Sequence, residues 1–510
     1  MIIVLNFGSQ FAHLIARRVR DLGVKAEILP FDTPASKIKA ISPSGIILSG
    51  GPASVLEKGS PRPDRKILEL DVPILGICYG HQVMAHMLGG KVTKGVHREF
   101  GKETISFKDK KGIFQGFSTK EVVWFSHGDQ VSKLPKGFKE IASTTSCKYA
   151  AFADLKNNFF GIQFHPEVTH TQHGKKLLEN FLFLICKAKK NWKINSVTES
   201  IISEVRNEVR NKHVIVGISG GVDSLVAATL IYRAIGNRLH AVFVDTGLLR
   251  KGEVKQVGAY LRNHGFKKLH VVDASQLFLK RLKDITDPEQ KRKIIGHSFI
   301  EVFEKTITNE LKKYTIAYFA QGTIYPDRIE SASVLKGASK IKSHHNLTLP
   351  KKLGFKILEP IKDLYKDEVR KVGLSLGLPN ELIYRHPFPG SGLAIRIVGE
   401  VTKERLRILR EADAIFINEL KNVGEYEKIW QAFAVLLPLK TVGVMGDART
   451  YEYIVALRAV DSIDGMSADW HKIPNGLLER ISGAIVGQVR GVNRVLYDIT
   501  QKPPATIEYE

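Results

Sequence analysis

Cysteine is scarce in this chain. Only Cys78, Cys147 and Cys186 occur among 510 residues, too few for a disulfide framework, and no pair has the Cys-x-x-Cys spacing of a metal site. A reducing, cytoplasmic setting is the expectation. No apolar run approaches the roughly 18 residues of a membrane span, so no membrane-spanning helix is expected. The opening Met1-Ile2-Ile3-Val4-Leu5-Asn6 lacks the basic start and cleavage site of a secretory leader and reads as a first strand. Acidic residues are outnumbered, 52 against 76 Lys and Arg, for a net charge of +24. Yet there is no basic arm and no aromatic-interleaved patch. The excess is read as solvated surface and as sites for anionic nucleotides, not as a nucleic-acid face. At this length one core does not suffice, and roughly two to four domains are expected.

Two familiar phosphate signatures are also missing: no Gly-Lys-Ser/Thr closes a Walker A loop, and no Gly-x-Gly-x-x-Gly opens a dinucleotide fold. In their place stands Ser219-Gly220-Gly221-Val222-Asp223-Ser224. A β-branched run (213–218) precedes it as a buried strand, and the apolar 225–231 follows as a helix. Two glycines permit close backbone approach to an anion, and the first N–H groups of the helix point at it. A strand-to-helix turn without a ligand is the plainer alternative. The order of these residues resembles the pyrophosphate loop of the ATP pyrophosphatases, enzymes that split ATP into AMP and pyrophosphate.

The first third alternates strand and helix. Phe11, Leu14, Ile15, Val19 and Leu22 fall at helical spacing, and Ile46-Ile47-Leu48 reads as a strand, which predicts an α/β sheet. Ile74-Leu75-Gly76-Ile77-Cys78-Tyr79-Gly80-His81-Gln82 carries the pattern of a nucleophile elbow, with small residues two positions either side of the exposed side chain. A helix start behind the sulfur favours the thiolate. Phe164-His165-Pro166-Glu167, at the end of another apolar strand, supplies a proton shuttle, His165, and a carboxylate to orient it, Glu167. A buried structural cysteine and a plain loop are the alternatives for each motif alone. Together they resemble the class I glutamine amidotransferases over residues 1–187. That resemblance implies a Cys78–His165–Glu167 triad, oxyanion N–H groups at Gly51 and Tyr79, and a glutamine pocket lined by Gln82 and the loop 126–129. Cys147 and Cys186 match no motif and read as structural. The basic stretch 186–192 reads as a linker.

Farther on, the stretch 239–247 reads as a second strand ending in an acid and a glycine, Asp245 and Gly247, and in a doubly wound sheet such strand ends converge on the ligand crevice. Asp327 and Glu330, three apart after Gln321-Gly322-Thr323, suit Mg²⁺, a lysine partner or an exposed helix start equally. His344-His345 is not read as a zinc site, because adjacent histidines point apart and no third ligand has metal spacing. The ordered segments 321–327, 342–346, 385–396, 446–451 and Lys502-Pro503-Pro504-Ala505-Thr506-Ile507-Glu508 closely resemble the family of glutamine-hydrolysing GMP synthases. The resemblance covers nearly the whole chain.

It implies an α/β fold. Two doubly wound α/β domains, a class I amidotransferase (1–187) and an adenine-nucleotide alpha-hydrolase-like ATP pyrophosphatase (195–385), precede a smaller α+β domain (386–510) for dimerisation and XMP binding. It implies the ligase chemistry of GMP and purine biosynthesis, with glutamine, ATP and XMP as substrates and Mg²⁺ beside ATP, on Asp223. Ser219, Gly220, Gly221, Val222, Asp223 and Ser224 would take the pyrophosphate. A lid with Asp327, Glu330 and Lys342 would close over the nucleotides. Arg292, Gln431, Arg494, Lys502, Ile507 and Glu508 would hold XMP, and the last domain would make a homodimer; a solvated cap is the alternative for that domain. In the C-terminal part the pattern predicts strands at 393–398, 431–437, 441–445, 452–460 and 494–500, and helices at 402–421 and 475–489. The chain departs from the family pattern at 345–350, a residue shorter and without glycines, and at His81, His297 and Ser391. Other glutamine-dependent ATP pyrophosphatases, and a nucleotide-sensing or nucleic-acid-binding scaffold without activity, are the competing readings.

Overall fold

The computed structural model describes residues 1–325 other than Gln10, Thr169 and Lys313, then Asp327, 354–462 and 467–510. The expected lid residues Glu330 and Lys342, and the loop 344–350, lie outside the described residues. The chain forms two compact units, Met1–Ser196 and Val197–Glu510. Among the described residues no helix is long and apolar enough to cross a membrane.

In the first unit the strands are β1 (Ile2–Asn6), β2 (Ala26–Pro30), β3 (Gly45–Leu48), β4 (Ile74–Ile77), β5 (Lys91–Phe107), β6 (Lys120–Lys133), β7 (Lys139–Ser143), β8 (Ala151–Asp154) and β9 (Phe159–Ile162). They form one sheet in the order β2-β1-β3-β4-β9-β8-β7-β5-β6. The half from β2 to β9 is parallel. Its inner strands are buried along their length, which is why they read as unbroken apolar runs. Because β3, β4 and β9 run the same way, Ser49, Cys78 and His165 leave the sheet at one edge, where a crevice forms. In the antiparallel half β5 and β6 make a long ribbon that sets Glu99 opposite His127.

In the second unit β10 (His213–Ile218) is the centre of a parallel sheet. With β11 (Leu239–Asp245), β12 (Leu269–Asp273), β13 (Ile316–Ala320) and β14 (Lys356–Leu358) the order is β12-β11-β10-β13-β14. The order turns back on both sides of β10, which puts the loop after it at a switch point of the sheet. The C-terminal part is an antiparallel ribbon, β15 (Gln431–Met445) and β16 (Ala448–Asp461), extended by β17 (Asp469–Trp470) and by β18 (Val492–Tyr497), parallel to β16. Helices Lys403–Asn422 and Asn475–Gln488 pack on it. One apolar core runs from Ile215, Phe278 and Phe303 to Leu393, Phe416, Leu457 and Ile485.

Three local expectations are corrected. Residues 393–398 were expected as a strand, but Gly392–Arg396 is a 3₁₀ turn, entered through Gly392 at φ 62° and tied by Leu393 N–H to Leu248 O at 2.8 Å. All five residues of that turn are buried, so tertiary packing overrides the strand-like pattern. The strands expected at 431–437 and 441–445 are one strand with a register shift around Pro438, which has no N–H for the ladder. The final strand comes earlier than expected, at Val492–Tyr497.

Candidate functional site

Cys78 follows β4 directly and caps the helix Tyr79–Met87. Its backbone sits at φ 52°, ψ −105°, a conformation that costs a non-glycine residue on the order of 1–3 kcal/mol. The neighbouring chain compels it. A Cβ on Gly80 would stand 2.2 Å from Leu48 O, and one on Gly76 would stand 2.6 Å from Gly80 O. Cys78 N–H donates to Ile162 O at 2.8 Å, so β9 holds the turn in place.

His165 leaves the same edge and donates its Nδ1–H to Glu167 Oε1 at 2.7 Å. A carboxylate only accepts, so the other ring nitrogen, Nε2, is the one left for the thiol. Both side chains are buried. Burial opposes the imidazolium, but the Glu167 charge and hydrogen bonds to Cys78 and Glu167 outweigh it and hold the His165 pKa above 6.5. Phe11 packs on the ring at 4.8 Å, and Arg18 Nε donates to Glu167 O at 3.1 Å. The three sequence-predicted triad residues are therefore together.

The glycine that faces the triad itself is Gly50, one residue before the expected oxyanion glycine. A Cβ there would stand 3.1 Å from His165 Cε1 and 3.7 Å from Cys78 Cβ. Gly51 packs against Phe7 O, where a Cβ would stand 2.7 Å away. Tyr79 is the first residue of its helix, whose opening N–H groups have no partner within the helix. Gln82 is buried, and its amide group donates to Asp129 O at 2.7 Å and Gln163 Oε1 at 3.1 Å. It thus braces residues 126–129, which were expected as a loop but are part of β6, paired with β5, and whose Ser126 O lies 3.6 Å from Cys78 Sγ. Sequence reasoning missed Glu99, which pairs with His127 Nε2 at 2.7 Å while His127 Nδ1–H donates to Asp129 O. Cys147 lies beside this pair, and Glu99, His127 and Cys147 place three donor atoms within 4.8 Å of one another. Glu99 and His127 already lie against each other at ion-pair distance, however, and burial with the Glu99 charge pushes the Cys147 thiol up to about 12, which fits a structural thiol.

In the second unit the helix Val222–Ile235 begins inside the Ser219–Ser224 loop, so Val222, Asp223 and Ser224 form its first turn. Gly220 has φ 79°. Ser219 Oγ and Ser224 Oγ are 3.1 Å apart, and Gly221 N–H donates to Ser219 Oγ at 3.3 Å. Gly322, at the end of β13, packs on the loop; a Cβ there would stand 2.9 Å from the Asp223 carbonyl carbon and from Ser224 N. Asp223 divides its oxygens. Oδ2 accepts from Lys366 Nζ at 2.6 Å, whereas Oδ1 is buried without a hydrogen-bond partner among the described residues. A hard divalent cation is a fitting partner for such an oxygen. Asp327 Oδ2 accepts from Ile324 N–H at 3.2 Å, the geometry of a helix start.

The C-terminal tail is pinned by three buried cations, none singled out in the sequence. Arg396 grips Glu508 through Nε at 3.0 Å and Nη2 at 2.8 Å, between the rings of Phe388 and Phe433. Arg458 donates to Ile507 O at 2.9 Å and Thr506 O at 3.0 Å. Lys291 donates to Ile397 O at 2.8 Å and pairs with Glu510. Of the expected XMP residues, Gln431 and Glu508 meet, Nε2 to Oε1, at 2.7 Å, and Ile507 is beside them in sequence. Arg292 follows Lys291 on its helix but pairs with Glu289 at 2.5 Å. Arg494 is exposed on β18, and Lys502 N–H bonds to Ala468 O at 2.8 Å.

Three family models match the chain: Glutamine amidotransferase class-I over residues 3–185, NAD synthase over 193–291, and GMP synthase C terminal domain over 418–509. Among curated proteins it is similar to the GMP synthase [glutamine-hydrolyzing] of Aquifex aeolicus, 55% identical over 100% of this chain and 99% of that one. The proteins of the same description from Thermosipho melanesiensis and Brachyspira hyodysenteriae are 53% and 51% identical, with the same coverage.

Proposed function

The chain belongs to the family of glutamine-hydrolysing GMP synthases, and from that premise we propose how its residues divide the work. It is a ligase that makes GMP from XMP with glutamine as nitrogen donor and ATP as energy source. In the amidotransferase domain (1–187) the Cys78 thiolate attacks the side-chain carbonyl carbon of glutamine. The N–H groups of Gly51 and Tyr79 receive the oxyanion. His165, oriented by Glu167, gives its proton to the departing ammonia, then takes one from the water that cleaves the thioester.

In the synthetase domain (195–385) O2 of XMP attacks the α-phosphorus of ATP. The pyrophosphate leaves into the cradle of Ser219, Gly220, Gly221, Val222 and Ser224. Ammonia attacks C2 of the adenylylated XMP, and AMP departs. Asp223, through its unpartnered Oδ1, is the residue that would hold Mg²⁺, which supplies neutralising charge to the phosphates when bound. Lid residues Asp327, Glu330 and Lys342 exclude water from an intermediate that hydrolysis would waste. Gln431, Ile507 and Glu508, with Arg292, Arg494 and Lys502, recognise XMP from the C-terminal domain (386–510).

The same domain joins two copies of the chain. Leu439, Val442, Val444 and Tyr451 are exposed on the β15–β16 ribbon, with Val442 and Tyr451 cross-strand partners, and an apolar patch of this kind suits a second copy. Three free thiols support a cytoplasmic setting.

The observation that carries this reading is Cys78, forced to φ 52° in front of the buried His165–Glu167 pair. Cys78→Ala tests it. Glutamine-driven synthesis should vanish while synthesis from added ammonia persists, and loss of both would overturn the two-site division. A NAD-forming activity, suggested by the NAD synthase match, is disfavoured by the GMP synthase C-terminal match over 418–509.

A further inference from the structure

Gly220 is held from behind by two side chains to which the reaction assigns no part. Its carbonyl accepts from Arg385 Nη1 at 2.9 Å across 165 residues of chain. Arg385 Nη2 lies 2.7 Å from Glu253 Oε1, and the Glu253 side chain is only 3% exposed. Glu253 Oε2 in turn accepts from Arg250 N–H at 3.1 Å. A Cβ on Gly220 would stand 2.7 Å from Glu253 Oε1, so carboxylate, guanidinium and glycine backbone crowd one peptide.

The peptide geometry turns this into a direction. In a trans peptide the C=O and N–H point opposite ways. With the Gly220 carbonyl drawn to Arg385, the Gly221 N–H faces the other side, towards Ser219 Oγ and the cradle it shares with Ser224. Glycine at φ 79° has little intrinsic preference for that orientation. Released from Arg385, the 220–221 peptide is free to rotate and offer its carbonyl oxygen, a negative dipole end, to an incoming anion.

We propose that Arg385 and Glu253 are positioning residues for pyrophosphate: Glu253 aims the guanidinium, and the guanidinium fixes the Gly220–Gly221 peptide with its N–H towards the phosphate. The inference rests on the reading of residues 219–224 as the pyrophosphate loop. A planar guanidinium holds a carboxylate and a carbonyl at a set angle to each other, which an ammonium does not.

The test uses the full-length protein in ammonia-driven synthesis. It measures KM for ATP, KM for XMP and inhibition by inorganic pyrophosphate in Arg385→Ala, Glu253→Gln and, as a reference for the loop, Ser224→Ala. Arg385→Ala and Glu253→Gln are each expected to raise KM for ATP and the pyrophosphate inhibition constant roughly tenfold. KM for XMP should stay within about twofold, and added guanidinium should restore part of the loss in Arg385→Ala. If Arg385 gripped phosphate itself, Glu253→Gln would leave pyrophosphate binding unchanged or tighten it, and that result overturns the positioning role. Wild-type pyrophosphate inhibition in folded Arg385→Ala, with Ser224→Ala impaired, overturns the clamp and leaves the loop reading intact. Wild-type inhibition in all three variants overturns the loop reading and the clamp with it. Should Arg385→Ala fail to fold, the isosteric Glu253→Gln decides alone.

Discussion

Lys366 Nζ lies 2.6 Å from Asp223 Oδ2, although 143 residues separate them in the chain. Both side chains are partly exposed, 44% and 28%, so the pair adds little to stability. Its weight is electrostatic, because the ammonium sits at the helix start where pyrophosphate charge is proposed to gather. Lys366→Met should therefore lower kcat/KM for ATP by roughly tenfold or more, with either nitrogen source, and leave the thermal midpoint nearly unchanged. Steady-state kinetics with ammonia check this; unchanged ATP kinetics would remove Lys366 from the site.

The Glu167 carboxylate raises the His165 pKa and is thereby proposed to set the pH range of glutamine hydrolysis. Burial works against the His165 imidazolium, and Glu167 with Cys78 more than compensates, so its pKa lies above 6.5. In the proposed mechanism the imidazolium delivers the proton to ammonia, so activity should fall as pH rises through that pKa. Glu167→Gln removes the raising charge and should move the alkaline limb of the glutaminase profile to lower pH. The stability linkage has the same sign. A raised pKa contributes stability in full below 6.5 and loses it as pH rises through the folded value, and the variant forfeits that contribution. An alkaline limb at the wild-type position would place another group in the role.

Arg396, fully buried, fixes Glu508 bidentately. Arg396→Lys keeps the charge but loses the planar fork, so Glu508 should wander from Gln431. KM for XMP is expected to rise roughly tenfold with KM for ATP nearly unchanged. Equal increases in both constants would argue for a general loosening of the domain instead.

Val444, 77% exposed and two residues beyond Val442 on β15, is the most accessible of the exposed apolar residues on the β15–β16 ribbon. A glutamate there would have to be desolvated at an apolar interface. Val444→Glu should convert the proposed homodimer into a monomer in analytical ultracentrifugation, without loss of helix signal. A wild-type dimer that sediments unchanged in the variant would move the interface elsewhere.

The elbow at Cys78, the His165–Glu167 step and the glycine loop after β10 were all legible in the sequence, because each is built from residues a few positions apart. Strand, turn and helix signals act over that range, and β-branched runs and small residues write them directly. The turn at Gly392–Arg396 was misread for the opposite reason: an apolar, wholly buried segment carries no period that separates strand from turn.

Sequence alone determined the local constellations: a thiol on a forced turn, a histidine with a carboxylate two residues on, and a glycine loop at a helix start. Tertiary structure decided which charges answer those groups. Lys366 reaches Asp223, Arg385 reaches Gly220 and Lys291 reaches Glu510 across 143, 165 and 219 residues. Such pairs leave no spacing in the chain to read. They exist because sheet order and the shared core bring distant strand ends to one place, and because a buried charge or an oriented carbonyl must find a partner there.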